Sequence, residues 1–534
     1  MGEATVKSKA GSSAWKPFRH RAYAVIWSAT VAGNTGSWMY AAASAWLMTE
    51  LDADALMVSL VQVAASLPMF LFAMPAGAVT DIVDKRRFLI VVEVGIALAA
   101  TTYAFVVWYG WVTPWNLLFF VFLLETGTAL EAPAWQAIVP LLVPKADLPS
   151  AVAADSAGIN LSRAVGPALG GVLTASAGIA VPFFVNAAST LATLGALSWW
   201  RPPREPPRRL PAERFAAALR TGLRYARNNP SLRATLARAV IFFLFASAYW
   251  AVLPLLAREQ LHGGPETYGL LLGAIGAGAI SGAFALPWIK NWLDADRIVD
   301  VGSLLTAVAL VLYGVAHDPE LGIVASVLAG LAWICVLANL NVSAQFALPE
   351  WVRGRGLAIY VTVFFGAMTA GSVLWGEVAS WLGLPMTHFL AAAFALLTLP
   401  LARHSKLQAA GTLDLSPSMH WPPPVVSASV EHDQGPVLVT IEYRVAARHR
   451  RAFLNALAPL GRERKRDGAY AWGVFEDLAR QDVFLETFML ESWLEHLRQH
   501  ERVTNADRVL QERVHHLLIG APVITHLVAA GNPR

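Results

Sequence analysis

Five ionisable residues stand inside long apolar stretches of this 534-residue chain: Glu93, Glu125, Glu131, Asp155 and Arg163. A charge at such a position is costly without a partner, so each is a candidate for function. A carboxyl group there can take up or release a proton, and an arginine beside it can hold it ionised. The chemistry on offer is therefore ion exchange rather than bond making. By helical rise, Arg163 and Glu125 both fall near the middle of a ~30 Å hydrocarbon layer. An Arg163–Glu125 pair is expected, opened by substrate or proton; the alternative is a static pair that keeps two helices in register. Glu131 and Asp155, nearer one surface, are the other available partners, and Glu93 is a further proton site. A second pair, His496 and His500, lies one helical turn apart and could share a metal. No third ligand is evident, and the nearby glutamate is not in an H-E-x-x-H arrangement. The preferred reading makes these histidines surface or dimer-interface residues, with no metal, no cofactor and no catalytic residue.

The elements that position these groups follow from composition. Hydrophobic residues make up 56% and charged residues 15% of the chain, and mean hydropathy is +0.48. Soluble proteins carry about 25% charged residues, which excludes an ordinary cytosolic protein. Residues 436–534 hold 26 of the 78 Asp, Glu, Lys and Arg residues, so a soluble tail follows an apolar body. Apolar stretches long enough to span occur near 20–49, 55–79, 87–110, 114–139, 150–176 and 179–200, and again near 236–258, 266–290, 298–316, 319–346, 354–381 and 385–403. That is six, a polar interval, then six. Cys335 is the single cysteine and excludes disulfides and cysteine-ligated zinc.

Lys and Arg set the orientation. With the N-terminus inside, the cytoplasmic side receives Lys7, Lys9, Lys16, Arg19, Arg21, Lys85, Arg86, Arg87, Lys145, the run from Arg201 to Arg238, Lys290, Arg297, Arg353, Arg355, Arg403 and Lys406. The outside receives Arg258, beside Glu50, Asp52, Asp54, Asp318 and Glu320. Both termini are expected in the cytoplasm, with the first span retained. The cations are thus explained by topology, and no nucleic-acid partner is expected. Between the halves, a proline-rich start leads into a basic helix that reads equally as a leaflet-bound or a solvated linker.

The halves look related. Gln136–Val143 and Gln345–Val352 both read Q-x-x-x-P-x-x-V, and Asp81 with Lys85-Arg86-Arg87 is echoed by Asp294, Asp296 and Arg297. Such repeats build transporters that bind substrate between halves and rock about it. Gly77-Ala-Val-Thr-Asp81-Ile-Val-Asp84-Lys85-Arg86-Arg87 resembles the cytoplasmic signature of the major facilitator superfamily, with Asp84 where a second glycine is usual. Gly77 would allow close helix approach and Asp81 would pair with the basic run as a clasp. Gly166-Pro167-Ala-Leu-Gly170-Gly171, after Ser162, resembles the antiporter motif of that superfamily's exporters. Its proline would bend the helix and its glycines would admit a neighbour. Asn34-Thr-Gly-Ser-Trp-Met39 and Trp351-Val-Arg-Gly-Arg-Gly-Leu-Ala358 resemble the branch containing the enterobactin exporter and the transmembrane secretion effectors. The resemblance implies efflux of a small organic molecule (drug, siderophore or secondary metabolite) in exchange for protons. Asn34, Tyr40, Asn160, Asn186, Asn339 and Asn341 are candidate pore-lining groups, or equally interhelical glue.

The tail reads as a strand at Val437–Val445, a helix at Arg448–Arg464, strands at Ala469–Phe475 and Val483–Leu490, a helix at Ser492–Leu518 broken near Asn505, and a strand at Val523–Ala529. Ser492 caps that helix, with Glu495 at the capping-box position. The order β-α-β-β-α-β predicts a ferredoxin-like sheet, and the segment resembles dimeric α+β barrel domains related to antibiotic biosynthesis monooxygenases. That resemblance implies a ligand-sensing or self-associating module, including a homodimer through this domain.

The expected protein is an all-α membrane bundle of twelve spans with the major facilitator fold, followed by a C-terminal α+β ferredoxin-like domain. Its parts are a cytoplasmic segment 1–18, a six-span half 19–200, a cytoplasmic loop 201–235, a second half 236–405, a linker 406–435 and the α+β domain 436–534. It is expected in the cytoplasmic membrane, with a small-molecule substrate, membrane lipid and protons as partners. The rival readings are a membrane-tethered enzyme whose tail modifies a small aromatic ligand, or a sensor whose tail detects one.

Overall fold

A computed structural model describes residues 15–201, 215–403, 406–407, 414–418, 420–421 and 434–530. Lys7, Lys9 and most of the expected linker 406–435 lie outside the described residues. Six long helices come first: α1 (Arg21–Leu51), α2 (Ala55–Ile82), α3 (Lys85–Trp108), α4 (Pro114–Leu142), α5 (Leu148–Ala177) and α6 (Val181–Trp199). After the short α7 (Phe215–Asn228) come α8 (Pro230–Leu255), α9 (Pro265–Ile289), α10 (Ala295–Val315), α11 (Pro319–Phe346), α12 (Arg353–Leu382) and α13 (Leu384–Arg403). Each apolar stretch expected to span is therefore a helix. Ten of them, among the described residues, are both long and apolar enough to cross a membrane. The other two, α1 and α5, have 31 and 30 residues but are richer in Ser, Thr, Asn and Gly. Large apolar side chains such as Leu98, Phe119, Phe284, Trp381 and Leu397 are exposed, which a hydrocarbon surround makes favourable.

Local chemistry starts several of these helices. Thr113 and Asn116 form a reciprocal capping box at α4. Asp84 accepts from the Arg87 N–H at 2.8 Å at the start of α3, and Asp294 accepts from the Arg297 N–H at 2.8 Å at the start of α10. The sequence echo between halves is thus a matched helix cap. The Q-x-x-x-P-x-x-V repeat closes α4 and begins on the last two residues of α11.

The chain divides into two compact units. The first comprises Met1–Ala212, Arg238–Asn339 and Val361–His404; the second comprises Glu213–Ala237, Leu340–Tyr360 and Ser405–Arg534. In the first unit, α1 and α5 approach closely because glycine removes side chains from the seam. A Cβ added at Gly166 would sit 2.6 Å from Trp38 Cβ, and one at Gly170 would sit 2.9 Å from the Met39 carbonyl oxygen. On its other side α5 meets α9: a Cβ at Gly171 would lie 2.9 Å from the Gly269 Cα, and one at Gly276 would lie 2.8 Å from the Ala164 Cα. Helix α5 runs unbroken through Pro167.

The second unit contains the tail. Strands β1 (Val437–Arg444), β2 (Ala471–Glu476), β3 (Val483–Leu490) and β4 (Val523–Val528) form an antiparallel sheet in the order β2-β3-β1-β4, as expected of a ferredoxin-like fold. Helix α14 (Arg450–Arg466) joins β1 to β2, while α15 (Trp493–Arg502) and α16 (Asn505–His515) join β3 to β4. Ser492 accepts from the Glu495 N–H at 3.3 Å. The Glu495 carboxylate turns to Arg502 at 2.7 Å, so only half of the expected capping box forms. Alternate residues of β1 and β3, among them Val437, Val439, Ile441, Phe484 and Phe488, pack under the helices with Phe453, Leu457 and Trp493. Helix α7 corrects both readings of the linker. Its Tyr225 is fully buried, donates to the Ala347 carbonyl at 3.0 Å and lies beneath Arg466 of α14. Arg224 reaches Glu495 at 3.7 Å, so α7 is packed into the second unit rather than lying free on lipid or in water.

Candidate functional site

The buried charges of the first half separate into three sites. Tyr40 of α1 donates to Glu125 of α4 at 2.7 Å. Arg163 of α5 lies over Trp38 of α1, 5.4 Å from the ring centroid, and its Nε is buried without a hydrogen bond. The expected Arg163–Glu125 pair therefore does not form. The glycine seam draws α1 against α5, and α1 supplies a different partner to each group: Trp38 to the arginine, Tyr40 to the glutamate. The arginine gains the aromatic face of an indole in place of a carboxylate.

Glu93 of α3 and Glu131 of α4 meet, with the Trp135 indole beside Glu131. Glu93 is 4% exposed, and Glu131 Oε2 is buried without a formed hydrogen bond. Sequence spacing presents these two acids as separate candidates; the structure makes them one site. Asp155 accepts from Tyr23 at 2.9 Å, and the same hydroxyl reaches the Ala151 carbonyl at 2.9 Å. Asp155 is thus tied to α1 and is not a partner of Arg163.

The signature after α2 differs from its expected role. A Cβ at Gly77 would meet nothing within 4 Å, so this glycine does not serve close approach. Asp84 is a helix cap. Arg86 donates through Nε to the Leu197 carbonyl at 3.1 Å and through Nη2 to the Ser198 carbonyl at 2.7 Å. It closes the carbonyl end of α6, where a cation is favourable. Lys85 is partly buried and Arg87 exposed. The side chain of Asp81 lies outside the described residues. Sequence reasoning missed the corresponding tie in the second half: Arg238 of α8, 2% exposed, pairs with Asp296 at 2.9 Å and Asp300 at 3.2 Å. Its position at the edge of a basic linker concealed it.

Among the antiporter-like residues, Gly166, Gly170 and Gly171 line the contacts of α5 with α1 and α9, and Pro167 is buried with them. Ser162 donates to the Val31 carbonyl at 3.1 Å. The uncharged polar candidates divide. Asn186 is buried and accepts from Ser37 at 3.5 Å across α1 and α6. Asn160 and Asn339 donate to carbonyls of their own helices at 2.8 and 2.7 Å. Asn34 and Asn341 are partly buried.

The two halves are joined within the first unit at the end that carries the α1–α2 turn. Trp46 stacks on Tyr268 with centroids 6.3 Å apart, and Arg258 donates to the Thr49 carbonyl. The Leu56 N–H reaches Ser380 Oγ at 3.0 Å, and Ser66 meets Thr369 at 2.7 Å. Arg258, the one cation assigned outside from sequence, is part of this closure.

In the tail, His496 and His500 of α15 have ring centroids 4.8 Å apart, and His526 of β4 joins them. The sequence offered no third ligand because His526 lies 26 residues past His500 on a different element. A separate cavity of about 730 Å³ in the second unit is walled by Asn228, Arg462, Glu463, Arg466, Asp507 and Arg513.

Known proteins match this architecture. The chain is 24% identical over 385 residues to the multidrug efflux pump Tap of Mycolicibacterium fortuitum, covering 70% of this chain and 93% of that protein. It is 22% identical to macrolide efflux protein A of Streptococcus pyogenes, covering 67% and 89%. Among solved structures, a bacterial homologue of the human lysosomal transporter Spinster, inward-facing and unoccupied, superposes with a TM-score of 0.57 at 14% identity, covering 73% of this chain and 98% of that one. The description "transmembrane secretion effector" matches residues 12–533. A bundle of long helices in two sets of six with buried carboxyl groups fits that description, and the chain belongs to the transmembrane secretion effector family of major facilitator transporters.

Proposed function

We propose that this transporter exports a small organic molecule, of the drug, siderophore or secondary-metabolite class, across the cytoplasmic membrane in exchange for protons. The observation that carries the reading is the Glu93–Glu131 contact, one helix turn and a half along α4 from the Tyr40–Glu125 bond. Two carboxyl groups in contact in a low dielectric cannot both be charged, so the pair is a place to hold a proton. The relatives' names, multidrug and macrolide efflux, support the substrate class and the outward direction.

With both termini in the cytoplasm, the closure at the α1–α2 turn lies on the outer face. Alternating access breaks the Trp46–Tyr268 and Arg258–Thr49 contacts and forms others on the inside. The outer face of the tail sheet carries Leu438, Leu527, Val523 and Phe475 in register, and a second tail covers it in a homodimer. Mass photometry of the detergent-solubilised chain checks this, and a monomer at micromolar concentration overturns it.

The transport reading is tested in inverted vesicles with an acid interior, using ethidium as the probe. Wild type accumulates the dye when the gradient is imposed; Glu131→Gln and Glu93→Gln retain dye exchange but lose gradient-driven accumulation. Accumulation by both variants at the wild-type rate overturns proton coupling through this pair.

A further inference from the structure

Three histidines converge inside the tail from two elements. His496 and His500 are successive turns of α15, and His526 is paired in register with Val439 of β1, on the side of the sheet that the helices cover. One ring nitrogen from each lies within 4.8 Å of the others. His496 is 1% exposed and the Gln499 amide beside it is fully buried; the two side chains interact, yet no atom of either imidazole or amide forms a hydrogen bond of full geometry. A contact between the two engages one atom of each, and burying the other ring nitrogen and amide atom is unfavourable unless something else satisfies them. Trp493 and Trp421 wall the cluster, with the Trp493 centroid 5.2 Å from that of His496 and the Trp421 centroid 5.0 Å from that of His500.

The geometry points to a divalent transition-metal site, with His496, His500 and His526 as ligands. Three imidazoles suit zinc, copper, nickel or cobalt and not magnesium or calcium, which prefer oxygen donors. Metal–nitrogen bonds of about 2.1 Å require ligand atoms about 3.4 Å apart in a tetrahedral site, so the rings close in by rotation when the ion enters. Three protein ligands leave a coordination position for water, and Gln499 beside His496 can orient that imidazole as a neighbour of a metal ligand usually does. One nearby charge opposes a cation: Arg464 of α14. It is itself paired with Glu486 at 3.4 Å, and that carboxylate also accepts from Tyr443 at 2.6 Å and from the Trp472 indole at 2.8 Å. The arginine's charge is therefore matched within the core before any ion binds. The site is independent of the proton-coupling residues, so it stands whether or not the transport reading does.

The full chain, purified in detergent with any polyhistidine tag cleaved, is titrated with Zn2+ and with Co2+ alone. One Zn2+ binds per chain, and Co2+ produces visible bands of imidazole coordination. His526→Ala and His500→Ala each weaken Zn2+ binding by about 100-fold, while His317→Ala, at an exposed position of the first unit, leaves it unchanged. Matched elution and melting profiles guard against misfolding, and His526→Gln replaces the alanine variant if that one fails to fold. Equal Zn2+ affinity in wild type and His526 variants, or no stoichiometric binding at micromolar Zn2+, overturns the site.

Discussion

Tyr40 holds Glu125 by a 2.7 Å hydrogen bond between α1 and α4, while Trp38, two residues earlier on α1, faces Arg163 of α5. One short stretch of α1 thus contacts a buried acid and a buried cation at once. Under the proposed proton coupling, a proton on Glu125 would change the hydrogen bond to Tyr40, and α1 links that bond to Arg163. Glu125→Gln abolishes gradient-driven export while the protein remains in the membrane. Tyr40→Phe removes one hydrogen bond to an ionisable group, worth about 1.5–3 kcal/mol, and slows export by about tenfold. Both are measured as ethidium efflux, with surface-independent quantification of protein by immunoblot.

Arg163 is the base of this arrangement, and its aromatic partner makes a distinct prediction. Arg163→Ala stops export. Trp38→Leu keeps the apolar volume but removes the π face, and lowers the rate by about fivefold, in line with roughly 1 kcal/mol for such a contact. Equal rates in wild type and Trp38→Leu leave the cation–π contact without a role in transport.

The glycine seam is tested by adding single methyl groups. Gly171→Ala places a Cβ 2.5 Å from the Pro265 carbonyl oxygen, an overpacking worth about 1–3 kcal/mol. The melting midpoint and the export rate both fall. Gly195→Ala on α6 meets nothing within 4 Å and leaves both unchanged. Thermal melts of the two variants in detergent, run beside wild type, decide the matter.

Glu463 gives the tail a pH dependence of definite sign. Burial, followed by the Asp507 charge, raises its pKa from 4.5 to about 9, with Arg466 opposing. The folded tail therefore favours the protonated acid. The stability this contributes is present below pH 4.5 and is lost as pH rises towards about 9. Glu463→Gln removes that dependence and raises the melting temperature of the tail transition at pH 8 but not at pH 5. A wild-type transition flat across this range contradicts the assignment.

Periodicity and apolar length were enough to place every long helix, because a span must satisfy its own backbone and so declares itself in about 20 consecutive residues. The tail was legible for the same local reason: Val483–Leu490 alternates, and Ser492 caps the helix that begins at Trp493. The candidate site was legible as a set of residue types and not as a set of pairs. Glu125, Arg163, Glu93 and Glu131 announce themselves by being charged in apolar surroundings. Which one meets which depends on how α1, α3, α4 and α5 pack, and that packing turns on glycines whose neighbours lie far off in the chain. His526 was missed on the same ground, since a strand register rather than a helical spacing brings it to His496. Arg238 was missed because its acids, Asp296 and Asp300, belong to another helix.

Where Gly171 faces Gly269, main chain packs on main chain with no side-chain teeth to disengage. That part of the contact between the two sets of six helices has no rotamers to reset, so its angle is left to the side chains that meet elsewhere, such as Trp46 with Tyr268. A variant that alters movement without overpacking is therefore more economically sought among those side chains than at Gly171, where an added methyl meets main chain at 2.5 Å.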